Sequence, residues 1–96
     1  MYSRVYSISW PAEHTEALLA HYDSVIADAI RGSKHHIGHQ VVSAGPTQWL
    51  LISNYTSRQG AEAAAPMVRD LISHMVENFG MSIEVIGEGD TTRAVS

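Results

Sequence analysis

Residues 48–55 read QWLLISNY, and the fold turns on this octet. Alternate residues of a strand point to opposite faces. Trp49, Leu51, Ser53 and Tyr55 therefore share one face, and Leu50, Ile52 and Asn54 share the other. The run Trp49–Ile52 is apolar on both. A strand of this kind needs cover on both sides, whereas an edge strand facing water alternates cleanly.

The neighbouring segments say what could cover it. Residues 35–43, HHIGHQVVS, have the length and β-branched content of a strand. AGPT at 44–47 supplies turn residues between them, so 35–55 reads as a hairpin. Upstream, RVYSISW at 4–10 alternates, with Tyr6, Ile8 and Trp10 on one face, and Pro11 ends it. Residues 13–31 carry Leu18, Leu19, Tyr22, Val25, Ile26, Ala29 and Ile30 at spacings that give a helix one apolar stripe. His14, His21 and Asp28 fall on another, solvated side, and Gly32 is a terminator.

Downstream, Thr56 or Ser57 caps the next helix, and Thr56 with Gln59 fits a capping box. Pro66 lacks the N–H that a helix interior donates, which predicts a break. The expectation is a short helix over 57–64 and a longer one over 66–79, ended by Gly80. MSIEVIG at 81–87 is a fourth strand, followed by a polar tail, EGDTTRAVS.

The order β-α-β-β-α-β is the ferredoxin-like split unit, an α+β class fold. It predicts a four-stranded antiparallel sheet with both helices on one face, within a single domain spanning 1–96. Such a chain has nothing left for the second sheet face. The economical cover is the same face of an identical subunit, an isologous homodimer.

Composition narrows the function classes. The chain has 96 residues, 45% hydrophobic and 17% charged, enough for a core. A domain of this size buries only about 60–65% of its unfolded surface, so self-association would help it. Net charge is −4, with no basic stripe, which argues against nucleic-acid binding. The absence of cysteine excludes disulfides, thiolate metal sites and thiol nucleophiles, and fits a cytoplasmic protein. No apolar run reaches the roughly 18 residues of a membrane span, and MYSRVYSISW lacks the pattern of a signal peptide. No phosphate loop or nucleophile elbow occurs.

The remaining chemical signal is SKHHIGH at 33–39, with three of the six histidines. In a straight strand His35 and His39 share a face and His36 takes the other. His35 and His39 would stand roughly 13 Å apart, too far for one metal with bonds of about 2 Å. The expectation is no metal and no cofactor, with His39 the histidine best placed to line a pocket. Trp49, Leu51 and Tyr55 would form an apolar wall with the Tyr55 hydroxyl at its rim, or else fill the core, and Tyr6 and Trp10 either extend that wall or belong to the dimer core.

The stretches SISWPAEHTEALLAHY, HIGHQVV and WLLISNYTS, with the broken second helix, resemble the dimeric α/β-barrel superfamily. The similarity is greatest to its antibiotic-biosynthesis-monooxygenase-like members and covers nearly all of the chain. The resemblance implies a homodimer with two sheets packed into a barrel and a pocket between sheet and helices. It further implies, for some members, oxidation of quinol or polyketide-like aromatics by dioxygen without metal or flavin. In that setting Tyr55 and His39 would be the catalytic polar groups. Trp49, Leu51, Tyr6 and Trp10 would contact an aromatic substrate. Asn54 either donates to a substrate oxygen or serves the hairpin end. Other relatives degrade haem, and there a helix histidine, here His74, would bind iron. Relatives often carry Trp where this chain has Tyr55. A non-catalytic dimeric ligand-binding or interaction domain is the rival reading.

Overall fold

The computed structural model describes residues 1–95. Strand β1, Tyr2–Ser9, leads through a 3-10 turn at Ala12–His14 into α1, Thr15–His21. A π-helical turn, Tyr22–Ile26, separates α1 from α2, Ala27–Arg31. The hairpin follows as β2, His36–Gly45, and β3, Gln48–Tyr55; then come α3, Arg58–Phe79, and β4, Ser82–Asp90. The strands pair in the order β2-β3-β1-β4, antiparallel throughout. This is the α+β, ferredoxin-like arrangement expected from the sequence, with the helices packed on one sheet face.

The alternation in β1 does what the pattern requires. Tyr2, Tyr6 and Ile8 are buried, and so is Trp10 just past the strand end. Tyr6, Ile8 and Trp10 meet Leu18 and Ile26 from the first helical stretch, Leu51 from β3 and Met75 from α3, while Tyr2 joins a smaller cluster with Tyr55, Ala61 and Ala64. The π turn carries Tyr22 at its start and Ile26 at its end, and Ile30 follows four residues on. All three contact this core. Within the turn, Ser24 Oγ donates to the Ala20 carbonyl at 2.8 Å, a local competitor for helix bonds.

Two expectations about elements need correction. Pro66 does not divide the second helix: α3 runs unbroken for 22 residues. Its missing N–H deprives only the Glu62 carbonyl, and both residues lie on the exposed side, where water can serve it. Ser57 caps this helix, accepting from the Gly60 N–H at 3.0 Å, and Gly80 closes it in the left-handed conformation at φ 63°. The fourth strand is longer than MSIEVIG and takes in residues 88–90 of the supposed tail. Ser96 lies outside the described residues.

Three register shifts interrupt the sheet, one of them at the hairpin end between Ser43 and Gly45, and the other two shape the site. On β2 the register shifts between His36 and Gly38, so that His36 opposes Tyr55 and His39 opposes Ser53. Ile37 is the extra residue. On β4 it shifts opposite Val5 and Tyr6, so that Ile83 opposes Ile8 while Glu88 opposes Arg4. Each bulge reverses the face of everything on one side of it.

Candidate functional site

The bulges create a polar row on the helix-facing side of the sheet. Glu88 on β4, Arg4 on β1, Ser53 on β3 and His39 on β2 are successive cross-strand partners. A row of Tyr2, Tyr55 and His36 lies beside it. Neighbours in such rows have Cβ atoms about 4.5–5.5 Å apart, close enough for direct contact.

Most of these side chains are held. Arg4 Nε donates to Glu88 Oε2 at 3.0 Å, and Arg4 Nη1 donates to the Tyr6 hydroxyl oxygen at 3.4 Å. The Tyr2 hydroxyl donates to the other Glu88 oxygen at 2.7 Å. Burial disfavours the Arg4 charge, but its contacts with Tyr6 and Glu88 outweigh that and raise its pKa. Tyr55 is 1% exposed. Burial, helped by Tyr6, pushes its pKa up to about 12, so it keeps its proton at neutral pH. Ser53 is buried, and its Oγ lies 2.9 Å from His39 Nδ1.

His39 ends the row. Burial, with a smaller contribution from His36, lowers its pKa to about 4, so the ring is neutral at pH 7. Its Nε2 is buried and has no hydrogen-bond partner. A buried polar atom left unpaired costs about 1–3 kcal/mol, so such atoms are uncommon in folded proteins. His36, whose Nδ1 lies 2.7 Å from Ser33 Oγ, is also shifted down, by burial and then by His35. Its ring packs 4.5 Å from that of Tyr55.

His36 and His39 stand between two spaces. The first is an interior cavity of about 50 Å³, walled by Tyr6, Leu51, Ser53, Tyr55 and apolar groups of α3 such as Leu71 and Met75. The second is an open cleft of about 340 Å³ between the first helical stretch and β2. Tyr22, Ala27, Ile30, Arg31, His36, Ile37, Gly38 and His39 line it. Arg31 at its mouth pairs with Asp28, and both are well exposed. Burial, then Asp23, pushes the Tyr22 hydroxyl up to about 12, so it too stays protonated.

The sequence-predicted residues divide. Tyr55, His39, Leu51 and Tyr6 come together around the cavity. Trp49 and Trp10 do not reach either space: their rings pack edge-on at 5.0 Å, and Trp10 Nε1 donates to Thr15 Oγ1 at 2.9 Å. They are core, filling the end of the sheet where Tyr22 also packs. Asn54 faces away from the helices, where its Oδ1 accepts from Ser3 Oγ at 2.7 Å. His74 is exposed on α3, stacked on His21 at 4.7 Å and bonded by Asn78. His21 is thus half-covered rather than solvated, and burial, then His74, lowers its pKa. Arg4, Ser53, Tyr22 and His36 were missed.

Among the described residues, no group of three or more His or carboxylate side chains gathers to hold a metal ion. His74 lines neither of these two spaces.

Solved structures share this architecture over their whole lengths. A dimeric ferredoxin-like protein from an uncultured marine organism superposes with a TM-score of 0.75 at 11% identity, covering 100% of this chain and 99% of its own. A proposed antibiotic biosynthesis monooxygenase of Deinococcus radiodurans gives 0.73 at 19% identity, with 100% of both chains covered. The chain has their ferredoxin-like fold. The heme-degrader MhuD of Mycobacterium tuberculosis, solved with two hemes in its active site, gives 0.66 at 17% identity over 100% of both chains. At such identities the likeness is one of fold. No family model matches the sequence, and no curated protein matches it. Among the described residues no helix is long and apolar enough to cross a membrane.

Proposed function

We propose that this chain binds a small aromatic molecule bearing a hydroxyl group, in the cleft walled by Tyr22, His36 and His39. The observation that carries this reading is the unpartnered, buried Nε2 of a neutral His39 beside a cleft of about 340 Å³. Binding clefts typically measure about 300–1,000 Å³, and this one is lined about equally by polar and apolar surface. Burying one ring face removes on the order of 100 Å² of apolar surface, roughly 2–3 kcal/mol before association costs. Tyr22 and Ile30 supply that surface, and His39 supplies orientation.

The same site supports a cofactor-independent monooxygenase acting on quinol or polyketide-like aromatics. His39 would take the substrate hydroxyl proton, and the resulting anion would itself reduce dioxygen. An imidazole of pKa about 4 is a weak base in the empty site. A developing substrate anion beside it raises its proton affinity by Coulomb attraction, so transfer is coupled to binding. The interior cavity favours the non-catalytic reading: about 50 Å³ holds a water or two, not a ring. Quinols and anthrone-type compounds should be screened aerobically, following both binding and oxygen uptake. Uptake lost in His39→Ala supports the oxygenase. Binding without uptake leaves a ligand-binding domain, and no binding at all removes the site. We expect His39→Ala to weaken binding by about tenfold, the equivalent of one buried hydrogen bond.

The site belongs, in this proposal, to a homodimer. Val5, Val42, Leu50 and Ile52 lie on the sheet face away from the helices, outside both hydrophobic clusters. Val42 is 44% exposed. A second copy of the same face would cover this apolar strip isologously. Light scattering at micromolar concentration should give twice 10.5 kDa, and a 10.5 kDa species alone would reject the dimer.

A further inference from the structure

Charge is unevenly placed along this chain. All ten Asp and Glu residues lie before residue 31 or after residue 61, so a chain of net charge −4 contains a long stretch without an acid. Arg31, Lys34 and the histidines of SKHHIGH fall in that stretch, and it supplies one wall of the cleft, from Arg31 to His39. Among the described residues, those that line the cleft include no carboxylate. Burial lowers the pKa of both lining histidines, so they are neutral at pH 7, and Tyr22 keeps its proton. Arg31 is therefore the one lining group that carries a charge.

Arg31 ends α2, where the helix carbonyls favour a cation. Its Nη1 donates to Asp28 Oδ1 one turn back, and the two side chains are 71% and 69% exposed. Neither feature saturates the guanidinium. An exposed ion pair of this kind holds its partners weakly. A guanidinium carries five donors in a planar fork, and Asp28 engages one nitrogen of it. The free donors match the two oxygens of a carboxylate. Tyr22, Ile30 and Ile37 line the same space with ring and aliphatic surface, and His36 and His39 are set deeper than Arg31.

We propose that the cleft takes an aromatic monoanion, whose carboxylate pairs with Arg31 at the mouth while its ring lies against Tyr22 and Ile30. The inference rests on the cleft proposed above and names the class of its ligand. One guanidinium balances one negative charge, and the helix carbonyls at the same end disfavour a second. A carboxylate therefore suits this mouth better than a phosphate dianion. With the carboxylate at the mouth and a hydroxyl toward the histidines, the ligand is anchored at two depths, which fixes the direction of its ring.

Isothermal titration calorimetry at pH 7.5 with 6-hydroxy-2-naphthoate, its methyl ester and 2-naphthol tests this. The ester keeps the ring and the hydroxyl and removes the charge. Wild type at low salt should bind the acid about tenfold more tightly than the ester, as a charge-assisted pair at a half-open site provides. At high salt the gap should close to within about twofold, because exposed charges are screened. Arg31→Gln should erase the preference, Arg31→Glu should invert it, and Arg31→Lys, a charge without the fork, should keep part of it. Asp28→Asn removes the competing carboxylate and should strengthen the acid by about two- to threefold while leaving the ester unchanged. His39→Ala should weaken all three compounds, which places them in this cleft. Equal binding of acid and ester by wild type overturns the proposal, as does a preference that Arg31→Gln leaves intact. In either case the uncharged compounds still bind, and the cleft reading stands without the anion. If none of the three binds, the cleft falls and this inference falls with it.

Discussion

Tyr55→Ala is expected to cost about 3–5 kcal/mol of stability, a large part of what a domain of this size has. Tyr55 is 1% exposed and touches three systems at once. Its ring packs on His36 at 4.5 Å, lies under the Arg4 guanidinium at 5.7 Å, and joins Tyr2, Ala61 and Ala64 in the smaller hydrophobic cluster. Truncation would join a ring-sized void to the existing cavity of about 50 Å³. The small residues Ala61 and Ala64 cannot swing in to fill it, because they have no side-chain freedom. Tyr55→Phe keeps the ring and should cost only about 0.5–1.5 kcal/mol, the worth of a hydroxyl in a polar network. Thermal melts at one fixed protein concentration would separate the two by at least about 6 °C. Equal losses for Ala and Phe would mean that the hydroxyl, not the ring, holds this end of the fold. A loss below 1 kcal/mol for the alanine variant would contradict the burial itself.

Much of this architecture is legible in the chain, because hydrophobic periodicity survives folding. Alternation in residues 4–10 grouped Tyr6, Ile8 and Trp10 on one face, which is the face the helices cover and where they are buried. Parity in QWLLISNY correctly grouped Leu51, Ser53 and Tyr55. Parity fails where a strand bulges. Counting by two through HHIGH separates His36 from His39, yet the extra residue at Ile37 brings both to the helix face. The same counting puts Glu88 opposite in face to Ile83, and the β4 bulge reverses that. Gly38 carried the signal, since an isolated glycine within a strand pattern marks a bulge or a close approach. A Cβ there would come within 3.3 Å of the Asn54 side chain. Trp49 was out of reach of parity for another reason: facing the helices does not distinguish a pocket wall from packed core. That depends on how far along the strand the cavity lies, which only the three-dimensional packing against Tyr22 and Trp10 decides.

The burial of neutral histidines makes a second large effect, a steep loss of stability in acid. His39 titrates near pH 4 in the folded chain against an ordinary value of 6.5. Above pH 6.5 the ring is neutral in both folded and unfolded states and has no influence. Below it, the unfolded chain takes up a proton that the folded chain refuses, so unfolding becomes progressively easier down to about pH 4. The limiting slope is about 1.4 kcal/mol per pH unit, and allowing for partial solvent access the total is about 2–3 kcal/mol. His36 and His21 are lowered as well and add in the same direction. Glu88 is also held low, first by its Tyr2 hydrogen bond, but its stabilisation is lost only below the ordinary glutamate value of 4.5. The interval from pH 6.5 to 5 therefore isolates the histidines. Urea denaturation across that interval should show the midpoint falling in wild type and falling much less in His39→Gln, whose amide takes no proton. A wild-type midpoint that is flat or rising, or a slope unchanged in His39→Gln, would show that His39 is freely protonated in the fold. The neutral acceptor on which the cleft depends would then not exist.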